Sequence, residues 1–286
     1  MFLTQTKESA HPQTSSARPN PISRRRLLTL IPLILAAPAL IALSPAYAQS
    51  AEEKGLEIAR EADRRNEGFV DTQANMKMVL RNRAGKESLR QMRSMVLEVQ
   101  GDGDKSLTIF NEPKDVKGTA SLTFSHSTTP DEQWLYLPAL KRVKRISSKN
   151  KSGPFMGSEF AFEDISSQEV DKYTYKFLRE EDFNGRPTFV VEAFPTYENS
   201  GYTRVINWLD KAEYYPVKTE FYDRKNTLLK TLLQTGHTQY LDKFWRASEM
   251  FMQNEQTGKS TTLIWENFEF QTGLKDSDFN LSLIHI

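Results

Sequence analysis

Residues that could perform acid–base or metal chemistry are few in this 286-residue chain. It has no cysteine, so it offers no disulfide, no thiolate metal ligand and no cysteine nucleophile. The histidines are His11, His126, His237 and His285. None has the spacing of a zinc site. Adjacent carboxylates such as Glu163 and Asp164 are typical of a solvated surface. The sequence therefore predicts no metal site.

Sequence motifs of common enzyme classes are also missing. There is no Gly-x-Ser-x-Gly elbow, no phosphate-binding loop and no dinucleotide fingerprint. We therefore predict that the protein is not an enzyme and binds no cofactor. An envelope hydrolase that uses His126 or Glu163 is the weakest functional hypothesis, because no nucleophile–base set accompanies either residue. Two other hypotheses follow below.

A basic run lies in the middle of the chain and comprises Lys141, Arg142, Lys144 and Arg145. Charge of this kind can protect an exposed edge strand from pairing with other chains. It can equally form a patch for anionic headgroups or for an acidic surface on a partner. The formal net charge of the whole chain is only +1, so a nucleic-acid-binding protein is not expected.

Aromatic and methionine side chains are candidates for an apolar binding surface. Methionine adapts its shape to flexible apolar partners, although both residue types also fill ordinary cores. The candidates for such a surface are Met76, Met78, Met95, Trp134, Tyr136, Leu137, Phe155, Met156, Phe160 and Phe162.

The elements that must position these residues are predominantly β-strands. Residues 51–66 predict one short helix, with apolar residues toward one side. From about residue 70 apolar and polar residues alternate, and Asn, Asp, Gly and Pro clusters separate the runs. A hairpin closes at Asn82–Gly85. Strands are predicted in the second half at residues 189–194, 202–209, 217–222, 227–233, 244–252 and 260–270. We expect one mainly β domain of roughly eleven antiparallel strands.

Residues 149–170 interrupt this pattern and predict a long loop. Long loops in compact domains are often functional. Within this loop, residues 152–165 are the candidate lid over an apolar surface. Gly153, Pro154 and Gly157 shape the backbone of this segment, and three phenylalanines supply its apolar face.

The segment from Trp134 to Ile165 resembles the LolA-like family of outer-membrane lipoprotein-sorting proteins. The features that carry the resemblance are Tyr136-Leu137-Pro138, the basic strand that ends at Arg145-Ile146, Phe155-Met156-Gly157-Ser158-Glu159-Phe160, and Phe162-Glu163-Asp164. The resemblance is to the broad branch of the family that is often associated with lipid transporters.

This resemblance implies a curved antiparallel sheet, an incomplete or half-open β-barrel, with a lid over its concave apolar face. It also implies a soluble carrier that holds acyl chains of a lipid or lipoprotein and passes them toward the outer membrane. The ten candidates for an apolar surface are then the predicted lipid-binding residues. A non-enzymatic envelope sensor, or a fixed accessory partner of an inner-membrane transporter of the resistance-nodulation-division type, is the alternative. Contact with membranes is expected to be peripheral.

The two ends of the chain are predicted to lie outside the working domain. Residues 1–48 have a basic start, an apolar run from Leu27 to Leu43 and the small-x-small site Ala46-Tyr47-Ala48, as in a cleavable export signal. A twin-arginine signal is the alternative to the general secretion route. Residues 281–286 are similar to adapter-derived sequence and are predicted to be non-native. The expected domain is therefore residues 49–280, and its expected location is the periplasm.

Overall fold

The computed structural model describes residues 49–280, which begin with one helix, α1 (Ala51–Asn66). The predicted export signal and the predicted non-native tail lie outside the described residues. Ser50 is the N-cap residue of α1. Its hydroxyl accepts a hydrogen bond from Glu53 N, while the Glu53 carboxylate accepts one from Ser50 N. This reciprocal capping satisfies two otherwise unpaired donors, so the helix starts where the sequence predicts it. Within this part of the chain no helix is long and apolar enough to cross a membrane.

The remainder is built from β-strands. In chain order they are β1 (Asp71–Arg81), β2 (Glu87–Leu97), β3 (Lys105–Glu112), β4 (Ala120–Phe124), β5 (Glu132–Leu137), β6 (Arg142–Ile146), β7 (Tyr173–Phe183), β8 (Arg186–Pro195), β9 (Tyr202–Asp210), β10 (Pro216–Asp223), β11 (Leu228–Thr235), β12 (Thr238–Tyr240), β13 (Phe244–Arg246), β14 (Glu249–Asn254) and β15 (Ser260–Phe270).

Thirteen of these strands form one open antiparallel sheet, in the order β6-β5-β4-β3-β2-β1-β15-β14-β11-β10-β9-β8-β7. β12 and β13 form a separate hairpin. Two meanders therefore meet where β1 pairs with β15, and β6 and β7 are the two free edges. The connection between those edges, residues 147–172, is the long loop that the sequence predicts. It holds only short 3₁₀ turns.

The contacts of this loop require the sheet to curve strongly. Gln133 in β5 donates a hydrogen bond to the carbonyl of Phe162, and Tyr202 at the start of β9 donates one to Asp164. In a flat sheet β5 and β9 would be about 43 Å apart, at about 4.8 Å per strand. Two residues of one loop reach both strands only because the sheet bends around the loop. The predicted half-open barrel is thereby confirmed, with more strands than the eleven expected.

The two faces of the sheet carry separate apolar cores. The inner face packs against the loop through a cluster that includes Met78, Phe110, Phe155, Phe221 and Met252. On the outer face of β2–β6 a second cluster is covered by residues 271–280, which contribute Leu274 and Phe279 to it. α1 closes the inner face at the other side, where Ile58 packs with side chains of β7–β9.

Two features of the sheet differ from the sequence prediction. β7 was not predicted, because a bulge between Phe177 and Arg179 shifts its alternation and because several of its outer positions are charged, which is typical of an edge strand. The single strand predicted at residues 244–252 is two strands, β13 and β14. Ser248 N donates to Thr235 O at the point where the chain leaves the small hairpin and enters the main sheet.

Gly55 allows α1 to approach β7 closely, and its replacement gives a first testable prediction. A Cβ atom there would lie 2.7 Å from Phe177 N and 2.8 Å from Lys176 N, both of them backbone atoms. Gly55→Ala is expected to lower the free energy of unfolding by about 2 kcal/mol, despite the higher helix propensity of alanine. Urea denaturation checks this, with Arg60→Ala on the exposed side of α1 as control. Equal stability of the two variants would contradict the close approach.

Candidate functional site

A cavity of about 1600 Å³ lies between α1, the inner face of β8–β14 and the end of the long loop. The small β12–β13 hairpin and the β2–β3 connection border it at one end of the sheet. It exists because α1 covers the inner face at β7–β9 while the loop covers it nearer the centre, which leaves the sheet between them uncovered by secondary structure.

The sheet supplies one wall of this cavity with apolar side chains that point inward from alternate strand positions, while α1, the β2–β3 connection and the end of the long loop supply mainly polar and charged side chains. Alternation is required because successive residues of a strand face opposite sides of the sheet. The wall residues are Val191, Tyr202, Val205, Leu209, Phe221, Leu232, Met250 and Met252, with Phe160 contributed by the loop. Such a surface can accommodate an apolar chain but offers no reactive set.

A buried ion pair fixes the loop beside this cavity. Lys230 Nζ lies 2.5 Å from Asp164 Oδ2, and the two side chains are only 4% and 5% exposed. Asp164 also accepts a hydrogen bond from Tyr202 OH at 2.7 Å. Burial, followed by the negative charge of Asp164, raises the pKa of Tyr202 well above its usual value, so its hydroxyl stays a donor. The candidate lid is therefore attached to the sheet by a charged contact in the interior.

The other two acidic residues of the motif also attach the loop. Glu163 accepts hydrogen bonds from Gly201 N at 2.8 Å and from Ser200 Oγ at 2.9 Å. Asn254 donates to Glu159 Oε2 at 2.7 Å. Sequence reasoning treated such acids as solvated surface, which is wrong for this motif. The sequence contains the adjacent acidic pair and, far along the chain, Lys230. It does not show that Lys230 faces inward, so the ion pair could not be predicted.

The structure separates the predicted lipid-binding residues into two groups. The first group lies in the inner core between the sheet and the loop and comprises Met76, Met78, Phe155, Phe160 and Phe162, with Met156 packed against it. Phe160 also lines the large cavity. Met95, Trp134 and Tyr136 belong to the outer-face core instead. Leu137 is partly buried at the end of β5. The outer three are thus not brought together with the rest, and a role for any of the ten in lipid contact stays a prediction.

The predicted basic patch lies on and beside the free edge strand β6. Lys141, Arg142, Lys144 and Arg145 are all exposed, and Arg145 pairs with Glu132 at 2.9 Å. An exposed, charged edge fits the interpretation of charge as protection of the edge. Binding of headgroups or of a partner by these four residues stays a prediction.

Carboxylates with unusual pKa values border the cavity at the end where it meets the β2–β3 connection. Burial raises the pKa of Asp104 to about 6. Burial, together with the negative charges of Asp104 and Asp63, raises the pKa of Glu169 to about 7. Folding therefore disfavours the charged form of both carboxyls. As the pH falls, these two carboxyls take up protons nearer to neutrality than ordinary Asp and Glu side chains do.

This gives a second prediction, for stability against pH. Because the pKa of Glu169 is higher in the folded protein than its ordinary 4.5, the folded state binds the proton more tightly. The free energy of unfolding is then expected to fall as pH rises from about 4.5 through about 7, by about 2 kcal/mol for this group. Glu169→Gln should remove that part of the dependence in urea denaturation at a series of pH values. The exposed Glu198→Gln is the control, and an unchanged slope in Glu169→Gln would refute the assignment.

Neither histidine of the described region forms a catalytic arrangement with Glu163. His126 Nδ1 lies 2.8 Å from Asp102 Oδ2, while His237 Nε2 lies 3.1 Å from the carbonyl of Pro216. Glu163 has the loop contacts given above. Among residues 49–280 no group of three or more His, Asp or Glu side chains is placed to hold a metal ion.

An open antiparallel half-barrel with a covered inner face and a large cavity whose sheet wall is apolar is the architecture of a ligand-binding protein. Comparison with solved structures agrees with this class. A proposed outer membrane lipoprotein-sorting protein domain from Vibrio parahaemolyticus is 59% identical, with a TM-score of 0.81, over 82% of this chain and all of that one. A DUF1329 family protein from Desulfovibrio piger is 28% identical, with a TM-score of 0.78, over 82% of this chain and 99% of that one.

The chain belongs to the LolA-like family of outer-membrane lipoprotein-sorting proteins. A LolA superfamily protein from Nitrosomonas europaea shares the fold at 21% identity and a TM-score of 0.65, over 82% of this chain and all of that one. A family model described as an uncharacterized protein matches residues 102–285. None of the curated proteins compared with the chain is significantly similar to it. The resemblance that the Trp134–Ile165 segment shows is thus confirmed over most of the chain.

Proposed function

We propose that the protein is a non-enzymatic periplasmic carrier that holds acyl chains of a lipid or lipoprotein and passes them toward the outer membrane. The observation that carries this proposal is the large cavity inside the half-barrel, with the apolar wall that the sheet gives it. The family, one relative of which is described as an outer membrane lipoprotein-sorting protein domain, supports binding of lipid or lipoprotein in general.

The energetics of such a cavity suit a carrier. Each buried CH₂ group contributes about 0.8 kcal/mol, so a chain of about fifteen carbons offers about 12 kcal/mol before the costs of ordering it. Polar atoms at the border of the cavity, such as the Asp104 and Glu169 carboxyls, reduce this gain and favour release. A carrier needs that balance, because a ligand held at full strength would not be passed on.

Among the sequence-predicted residues, Phe160 is the one we propose to contact the acyl chain directly. It lines the large cavity and also a smaller one of about 400 Å³ near Arg224 and Lys225. Tyr202 lines both as well. The two aromatic side chains form the boundary between the cavities, and a shift of Phe160 would join them into one longer path.

A fixed binding module is the second candidate function, and the attachment of the loop favours it. The buried Lys230–Asp164 pair and the hydrogen bonds of Glu163 and Glu159 hold the loop in place. A loop held in this way suits a sensor, or an accessory partner of an inner-membrane transporter of the resistance-nodulation-division type, that retains its ligand. A shuttle needs a loop that opens on each cycle.

Extraction of lipids from the protein purified from an exporting bacterial host tests binding. We expect co-purified acyl lipids by mass spectrometry and saturable uptake of a fluorescent fatty acid. A lipid-free protein that takes up no probe would overturn the proposal. Transfer of labelled lipid between two vesicle populations then separates the two candidates, because a carrier accelerates transfer and a fixed module does not.

A further inference from the structure

The turns of the main sheet are sorted to its two ends. Because neighbouring strands run in opposite directions, alternate turns must lie at the same end. The pairing of Arg81 with Ser260 places the turn after β1 beside the turn before β15. The turns that follow β1, β3, β5, β8, β10 and β14 therefore share one end, which we call the turn rim.

The turn rim is rich in uncompensated positive charge. Its turns in the first meander carry Arg83, Lys86, Lys114, Lys117 and Lys141. Those in the second meander carry Arg224, Lys225 and Lys259, and the acidic residues of all six turns are Asp115, Glu198 and Glu255. All eight basic residues are exposed, and none forms a salt bridge within residues 49–280.

The opposite end of the sheet has the reverse balance. The β2–β3 connection there holds Glu98, Asp102 and Asp104 with no basic residue, and the α1–β1 connection adds Glu67. The large cavity is bordered by this acidic end. Lys211 and Lys243 also lie at this end, where Glu213 and Asp242 of the same connections match them in number, so the excess there stays acidic. The domain is therefore polarised along its strands even though the formal net charge of the chain is small.

We propose that the turn rim docks the protein onto the surface of an anionic lipid membrane. Eight cations spread over five of the six turns form a broad array that complements a plane of headgroups, where each Lys or Arg strengthens attraction to anionic lipid. Leu140 is 63% exposed beside Lys141 on the same rim, so an apolar side chain is available to enter the headgroup layer. The acidic end faces away from the membrane in this orientation.

Docking in this orientation also places the smaller cavity at the membrane. Arg224 and Lys225 belong both to the rim and to the lining of that cavity. The proposal goes beyond carrier function and does not depend on it, because a protein that never releases lipid could dock in the same way.

Co-sedimentation with vesicles tests the proposal. The full protein purified from an exporting host is mixed with vesicles of phosphatidylglycerol and phosphatidylcholine, or of phosphatidylcholine alone. The rim variant combines Lys117→Gln, Lys141→Gln and Lys225→Gln. The control variant combines Arg93→Gln, Lys176→Gln and Lys275→Gln, three exposed cations away from the rim with the same change in net charge.

We expect binding to the anionic vesicles only, with strong weakening at about 1 M salt, where the Debye length is about 3 Å. The rim variant should lose about a hundredfold in partition coefficient and the control variant less than about threefold. Leu140→Ser should weaken binding without altering its salt dependence. Equal loss in the two triple variants, no binding to anionic vesicles, or equal binding to phosphatidylcholine alone would each overturn the proposal. Lack of vesicle binding together with rim-dependent capture of an acidic protein would show that the partner is not a membrane.

Discussion

Lys230→Met is expected to lower the free energy of unfolding by about 3–5 kcal/mol, because it leaves the Asp164 carboxylate buried without its cation. Lys230 also donates to the carbonyl of Glu159 at 2.9 Å, so the same change removes a second attachment of the loop. Urea denaturation measures the loss. Hydrogen exchange at residues 155–164 should become faster, since these residues are held to the sheet through this pair.

Two comparisons make this prediction specific. The exposed pair of Lys77 and Glu266, 2.7 Å apart, is the control, and Lys77→Met should cost less than about 1 kcal/mol. Combining Lys230→Met with Asp164→Asn should cost less than the sum of the single changes, because the second change removes the uncompensated charge. If Lys230→Met were as stable as Lys77→Met, the pair would not hold the loop.

Leu232→Trp is expected to have the largest effect on ligand binding. Leu232 lines the large cavity from β11, and an indole there would occupy space that an acyl chain needs. Displacing about three CH₂ groups at about 0.8 kcal/mol each corresponds to a loss of about fiftyfold in affinity. Titration with a fluorescent fatty acid measures the change.

The matched control is Leu233→Trp. Leu233 is the next residue of β11 and faces the opposite side of the sheet, so the same substitution adds the same bulk outside the cavity. Its affinity for the probe should stay within about threefold of the unchanged protein. Equal loss in both variants would indicate general destabilisation, and no loss in Leu232→Trp would place the ligand elsewhere.

The fold could be predicted from the sequence because each local pattern of residues is typical of one kind of element. Apolar residues toward one side of residues 51–66 predicted α1, and the turn at Asn82–Gly85 predicted the first hairpin. Alternation then identified most strands. It failed at β7, where a bulge disturbs the period, and at residues 244–252, where one apolar run serves two different sheets.

The candidate site was much harder to predict, since it depends on which face of the sheet each residue occupies. Met78 and Met95 look equivalent in the sequence, yet one lies in the inner core and the other in the outer core. The cavity wall at Val205, Phe221 and Met252 was not singled out because such residues occur in any strand. Lys230 could not be recognised as buried, because its partner is 66 residues away in the chain and only the curvature of the sheet brings the two together.

The pairing of β1 with β15 has a consequence for how the chain acquires this structure. Lys77 and Glu266, which bridge the two strands, are 189 residues apart in the chain, yet their strands lie at the centre of the sheet. Each meander can form hairpins from local contacts, but the two meanders can join only after synthesis has delivered β15. Such long-range pairing makes folding slow. Until it is complete, β1 and β15 each expose an unpaired edge, and in that interval the chain is most prone to aggregation.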